Sequence, residues 1–169
     1  MNKFFKIIAV LFAMFAIALP SHASETQTRE TKGFKSVKTT ASFDDVFVGL
    51  QDAVVNKGYN IDYVGHMNQM LKRTSKAVGS VTEKGSASPY VNAKFMQFCS
   101  AKLTHEAISA SPQNIAICPY IVFIYEEKTD PGVVIVGYRR PVAGPSKRTR
   151  KAFDKIEAML TEVITEAVK

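Results

Sequence analysis

The chain has 169 residues, of which 46% are hydrophobic and 22% are charged, a composition inside the ordinary range of globular proteins. Its formal net charge of +7 is mild, and the chain has no basic cluster interleaved with aromatic residues. Nucleic acid is therefore not expected as a partner, and small anions or anionic surfaces are favoured instead.

The first 23 residues have the pattern of a secretory signal peptide. Lys3 and Lys6 form a basic start, residues 7–19 are an unbroken apolar run, and cleavage is predicted between Ala23 and Ser24. The apolar run is shorter than the roughly 20 residues that span a bilayer, so no transmembrane span is expected after cleavage. The sequence predicts a periplasmic or secreted protein.

The rest of the chain divides into a predicted flexible leader at residues 24–33 and a single domain at residues 34–169. Alternating or continuously apolar segments predict five strands, at residues 35–41, 59–65, 91–98, 119–125 and 133–138. Helical spacing predicts four helices, at residues 43–57, 66–77 and 100–110 and after residue 146. Residues 79–89 are rich in Gly, Ser and Lys and predict a loop.

Boundary residues support these elements. Ser42 and Ser146 are good N-caps, and Gly58 suits the position that ends a helix. Residues 126–132 form a polar turn that predicts a hairpin between the last two strands. The order β-α-β-α-β-α-β-β-α predicts an α+β two-layer sandwich, a mainly antiparallel sheet with helices packed on one face.

Several short motifs are similar to those of a known family. Phe98-Cys99 precedes a helix, Cys118-Pro119 begins an apolar strand, and residues 138–141 read Tyr-Arg-Arg-Pro. With these motifs, residues 34–141 resemble the bacterial family called domain of unknown function 302. The resemblance implies an α+β fold and a homodimer, and it implies no established reaction.

The two cysteines, Cys99 and Cys118, allow three interpretations. In an exported domain they are first expected to form one structural disulfide. A redox-active pair is the second, because Cys99 lies where a helix begins and a helix N-terminus lowers the pKa of a thiol. Metal ligation by free thiolates is the third.

A soft-metal or haem site is suggested by histidine and methionine residues. Imidazole with thioether suits copper or an axial haem position in an exported protein. His66 and Met70 are one helical turn apart, Met96 precedes Cys99 by three residues, and His105 lies on the following helix. No Cys-x-x-Cys-His motif is present, which excludes covalent c-type haem.

Six cations surround the start of the last helix and suggest an anion or membrane-surface site. They are Arg139, Arg140, Lys147, Arg148, Arg150 and Lys151. Cations in the first turn of a helix oppose its dipole, and a bound anion would reverse that penalty.

No hydrolase or phosphate-loop motif is present, so no catalytic residue is assigned. The sequence therefore favours a non-enzymatic binding module stabilised by a disulfide. A soft metal ion or haem is its first expected ligand and an anion its second. The alternative from another class is a thiol–disulfide redox enzyme.

Overall fold

The structure, a computed structural model, describes residues 27–78 and 88–169. The predicted signal peptide with its cleavage site, and most of the predicted loop at residues 79–89, lie outside the described residues. The strands are β1 (Thr28–Glu30), β2 (Phe34–Thr39), β3 (Ile61–His66), β4 (Tyr90–Phe98), β5 (Tyr120–Glu127) and β6 (Val134–Arg139). The helices are α1 (Phe43–Asn56), α2 (Met67–Val78), α3 (Ala101–Ala110) and α4 (Lys147–Glu166), with a 3₁₀ helix at Pro112–Ile117.

The six strands form one antiparallel sheet in the order β1-β2-β6-β5-β4-β3. The predicted hairpin is confirmed, because β5 pairs with β6, and the two strands lie at the centre of the sheet. The predicted α+β class and mainly antiparallel sheet are also confirmed.

Two elements differ from the sequence-based prediction. Thr28–Glu30 lie in the predicted flexible leader, yet they form β1 and pair with β2. A strand of three residues is too short to show a pattern, and the pairing becomes evident only when β2 is beside it. The 3₁₀ helix at Pro112–Ile117 was not predicted, since runs this short carry little periodicity.

One face of the sheet carries the core. Helix α1 packs against β5, while α4 packs against β6, β2, α1 and α3. The buried apolar side chains of α4 recur at helical spacing, as its sequence predicts: Phe153, Ile156, Met159, Leu160, Val163 and Ile164. Facing them are buried strand residues that include Val122, Val136 and Tyr138. None of the helices in the described part of the chain is long and apolar enough to cross a bilayer.

Serine caps fix where three of the helices begin. The hydroxyl oxygens of Ser42, Ser100 and Ser146 each accept a hydrogen bond from the backbone N–H three residues later. Each bond satisfies one of the N–H groups that a helix leaves unpaired at its start. Gly58 follows α1 with a φ of +79°, a conformation that glycine adopts without steric penalty.

A polar network ties α4 to the sheet at Tyr138. The Tyr138 hydroxyl lies 2.8 Å from the Thr161 hydroxyl and donates to Glu157 at 3.4 Å. Arg140 forms ion pairs with two carboxylates. Its Nε lies 2.8 Å from Oε1 of the same Glu157, and its Nη1 lies 2.7 Å from Oε1 of Glu30. The Glu157 hydrogen bond raises the pKa of Arg140. The network therefore holds β1, β6 and α4 together.

Burial raises the pKa of the Tyr138 hydroxyl to about 12, from an ordinary value of 10.0, and the hydrogen bond with Thr161 partly opposes the shift. Between these two values the folded state holds a proton that the unfolded state has lost. The stabilising contribution is therefore fully present below pH 10 and is lost as pH rises towards 12.

We expect the free energy of unfolding to fall as pH rises above 10, and Tyr138→Phe to reduce that slope. Part of the slope remains in this variant, because burial also raises the pKa of Tyr120 and of Tyr125. Denaturant unfolding at a series of pH values measures this slope of the free energy of unfolding against pH. Tyr63→Phe, which removes the hydroxyl of an exposed ring, is the matched control. Equal slopes for the wild type and Tyr138→Phe would contradict the assignment.

Candidate functional site

The structure divides the predicted cation cluster into separate groups. Arg139 ends β6 and Arg140 follows it, whereas Lys147, Arg148, Arg150 and Lys151 lie in the first turns of α4. Arg140 is neutralised by Glu30 and Glu157 and therefore acts within the fold. Arg150 donates a hydrogen bond from Nη1 to the carbonyl of Pro145, just before the helix.

A groove between α3 and α4 brings part of this cluster together with residues distant in sequence. It has a volume of about 420 Å³. Helix α3 lines it with Lys102, His105, Glu106 and Ser109, and α4 lines it with Arg148, Lys151, Ala152 and Lys155. We call it the basic groove, because four cationic side chains face one carboxylate, a net charge of +3 with His105 neutral.

Glu106 shows how closely these charges approach one another. Its Oε2 accepts a hydrogen bond from Lys155 Nζ at 2.6 Å. This hydrogen bond is the main reason that the pKa of Glu106 is lowered, and the charges of Lys102 and Lys151 lower it further. Glu106 therefore offsets Lys155, and Lys102, Arg148 and Lys151 form no ion pair with any residue in the described ranges.

The position of the basic groove on α4 follows from helical spacing. Arg148, Lys151 and Lys155 recur at intervals of three and four residues, so they lie on one face of the helix. No acidic residue occupies the first turn of α4, so its positive N-terminal end adds to the potential of these side chains. These cationic side chains therefore repel one another and are also repelled by the positive end of the α4 dipole. A bound anion would reduce both repulsions.

A second cavity of about 720 Å³ continues the basic groove towards α1 and shares Lys102, Glu106 and Lys155 with it. Its far end holds Lys57, whose Nζ lies 3.0 Å from both Glu162 and Glu166. These two hydrogen bonds raise the pKa of Lys57, that of Glu166 contributing most. This end thus has one cation and two carboxylates, and the unpaired positive charge lies in the basic groove.

The predicted metal ligands are placed in different environments. Met96 is fully buried in the core, while His66, Met70 and His105 are exposed. His66 pairs with Lys94 across the β3–β4 ladder, and His105 lines the basic groove. Within residues 27–78 and 88–169, no group of three or more His, Cys, Asp or Glu side chains could hold a metal ion.

Cys99 and Cys118 form the predicted disulfide, with their Cα atoms 5.9 Å apart. The pairing of Phe98 with Tyr120 puts the end of β4 beside the start of β5, which is why the two sulfurs meet. The disulfide closes the loop that contains α3 and the 3₁₀ helix. Neither cysteine lines the basic groove or the cavity that continues it.

Sequence reasoning missed Lys102, Glu106 and Lys155 as site residues. Lys155 could have been found, because it extends the spacing of Arg148 and Lys151 by one helical turn. Lys102 and Glu106 had no local signal, since they reach the site only through the packing of α3 on α4.

Residues 35–167 match the family described as Domain of unknown function DUF302. The chain belongs to the DUF302 family. The match covers all of the basic groove and the disulfide, and it confirms the resemblance inferred from the sequence motifs.

A solved structure supports the same fold for this DUF302 protein. It is the crystal structure of an uncharacterized conserved DUF302 protein from Bacillus stearothermophilus, with a TM-score of 0.65 and 11% sequence identity. The similarity covers 79% of this chain and 97% of that chain. Among curated proteins, none matches this chain. At this identity the structural similarity establishes the fold alone.

We expect the disulfide to stabilise the DUF302 domain by constraining the unfolded chain. For a closed loop of about 20 residues, the double substitution Cys99→Ser with Cys118→Ser should lower the free energy of unfolding by about 3 kcal/mol. Urea unfolding followed by circular dichroism measures the change. Ser109→Ala, at an exposed position inside the same loop, is the control. Unchanged stability in the double variant would contradict a structural role.

Proposed function

We propose that this DUF302 protein is an exported, non-enzymatic binding module whose basic groove binds a phosphate-type oxyanion. The ligand is either a free anion or the headgroup of an anionic lipid, which present the same chemistry. The observation that carries the proposal is the convergence of Lys102, Arg148 and Lys151 in one groove with no carboxylate partner in the described part of the chain.

The charges of the basic groove support binding of this kind. Cations on neighbouring helices repel one another, and an anion that lies between them removes the repulsion. Glu106 is already hydrogen-bonded to Lys155, so it does not compete for the remaining three cations. The exposed setting makes the attraction sensitive to salt, because the Debye length is about 8 Å at physiological ionic strength.

The disulfide supports export and a structural role for the cysteines. Disulfides persist in oxidising compartments such as the periplasm, in agreement with the signal peptide that the sequence predicts. A thiol–disulfide enzyme is the less favoured alternative, because neither cysteine lines the groove and no Cys-x-x-Cys motif is present. The homodimer implied by the family resemblance stays a prediction.

A soft metal ion or haem is also a less favoured ligand. Met96 is enclosed by the core, so its thioether cannot bind a metal ion at the surface. Cys99 and Cys118 are bonded to each other, so neither supplies a free thiolate. His66 and Met70 remain as the exposed pair from which such a site would have to be built.

Substitution of two groove lysines tests the anion site. A lysine near an anionic surface contributes about 1 kcal/mol, so Lys102→Ala with Lys151→Ala should weaken binding roughly 20- to 30-fold. Co-sedimentation with phosphatidylglycerol vesicles and calorimetry with inorganic phosphate measure the two sources of the anion. Lys128→Ala, at an exposed lysine on the β5–β6 turn, is the matched control and should bind like the wild type.

The pattern of results separates the outcomes. Binding of phosphate and vesicles alike indicates a free oxyanion site that headgroups can also occupy, whereas binding of vesicles alone indicates a membrane surface. The proposal is wrong if neither probe binds. It is also wrong if the double variant and Lys128→Ala bind equally well.

The metal alternative has its own test. Protein purified without chelator or reducing agent should show a Soret band, or one copper per chain, if such a site exists, and His66→Ala should remove the signal. His105→Ala, at an exposed histidine on α3, is the matched control and should keep the signal. The absence of both signals from the wild-type protein would contradict metal or haem binding.

A further inference from the structure

The face of the sheet opposite α1 and α4 carries a row of aromatic side chains. Because side chains alternate along a strand, Phe123 points away from the core residues Val122 and Ile124. Its register partners on either side are Phe95 on β4 and Gly137 on β6. The row crosses the middle of the sheet, on the face that the core helices leave uncovered.

Two glycines let these rings lie close to the sheet. A Cβ at Gly137 would come within 2.6 Å of Cζ of Phe123 and within 2.5 Å of the carbonyl oxygen of Lys35. A Cβ at Gly65 would come within 2.1 Å of Cε1 of Phe95. Each phenylalanine therefore covers a glycine of the neighbouring strand, and the two rings form the floor of a shallow surface.

This surface contains a cavity of about 480 Å³, inside the range of roughly 300–1,000 Å³ that is usual for small-molecule sites. Its apolar walls are Phe34, Met67, Phe95, Ile121 and Phe123. The rings of Phe34 and Phe123 meet edge to face, with their centroids 6.1 Å apart. The cavity is therefore lined mainly by apolar groups that belong to four different elements of the fold.

Two polar side chains complete the lining, Arg139 and Gln97. Arg139 lies two residues after Gly137, and Gln97 lies two residues after Phe95, so both lie at the end of the cavity beside Ile121, next to the aromatic row. In the described ranges Arg139 forms no ion pair, and neither side chain is hydrogen-bonded to another protein group. A second guanidinium, that of Arg29, lies 5.9 Å from the centre of the Phe34 ring and makes this end more positive.

We propose that this cavity binds a small amphiphile that carries one carboxylate. Its apolar body lies on the rings of Phe95 and Phe123, and its carboxylate accepts hydrogen bonds from Arg139 and Gln97. Charge complementarity indicates an anionic ligand. An apolar cavity with an unpaired guanidinium at one end favours an anion over a neutral molecule of the same shape. The site is separate from the basic groove, which lies on the other side of the sheet with α3 and α4.

Calorimetry with decanoate and decanol, below their aggregation concentrations, tests the proposal. The wild type should bind decanoate about tenfold more tightly than decanol, since a hydrogen-bonded charge adds to the same apolar contact. Arg139→Gln should bring this ratio down to about twofold, with Arg29 accounting for the remainder. Arg148→Gln, at a basic-groove arginine, should keep the wild-type ratio. Conversely, Arg148→Gln should weaken phosphate binding and Arg139→Gln should not, which separates this proposal from the groove proposal.

Ile121→Glu provides a second variant, with circular dichroism to confirm that it folds. It places a carboxylate on the apolar wall beside Gln97 and Arg139, where it repels the carboxylate of decanoate and removes apolar contact with decanol, so it should abolish binding of both probes. The proposal is overturned if the wild type binds neither probe, or binds both with equal affinity. It is also overturned if light scattering shows that the wild type is a dimer and that Ile121→Glu is a monomer, because a second copy then covers this face.

Discussion

The apolar stripe of α4 packed on the sheet is the interaction on which the rest of the structure depends. Phe153, Ile156 and Leu160 face β2 and β6, and their burial fixes how the helix is rotated about its axis. Once this rotation is set, Arg148 and Lys151 must lie on a different face, where α3 packs. The hydrophobic effect thereby determines where a cluster of charges is displayed, although those charges contribute little to stability themselves.

The disulfide has a comparable role for α3. The helix packs on α4 and on the 3₁₀ helix rather than directly on the sheet, so few strand contacts hold it. Cys99 and Cys118 close the segment that carries it, and the N-cap of Ser100 begins the helix one residue after the first sulfur. The cross-link and the α4 stripe therefore fix the two walls of the basic groove by independent means.

The two faces of the sheet differ in how far their side chains are enclosed. On the core face, large side chains such as Met96 and Tyr138 are fully enclosed and specify a single packing. On the opposite face, Phe95 and Phe123 lie over glycines and remain partly exposed, which places apolar surface and the unpaired Arg139 next to each other. Contiguous exposed apolar surface on a protein marks an interaction site more often than a structural one.

The sequence by itself determined the elements whose signals are local. Helical spacing located α1, α3 and α4, serine caps marked the starts of α1 and α4, and continuous apolar runs located the central hairpin, because such patterns need only neighbouring residues. It also reduced the cysteines to three alternatives. What only the tertiary structure decided was which distant parts of the chain come together: β1 pairs with β2, Cys99 bonds to Cys118, and Lys102 and Arg148 line one groove. The physical reason is that these neighbours are set by strand register and helix packing, and neither leaves a mark in the spacing of residues along one segment.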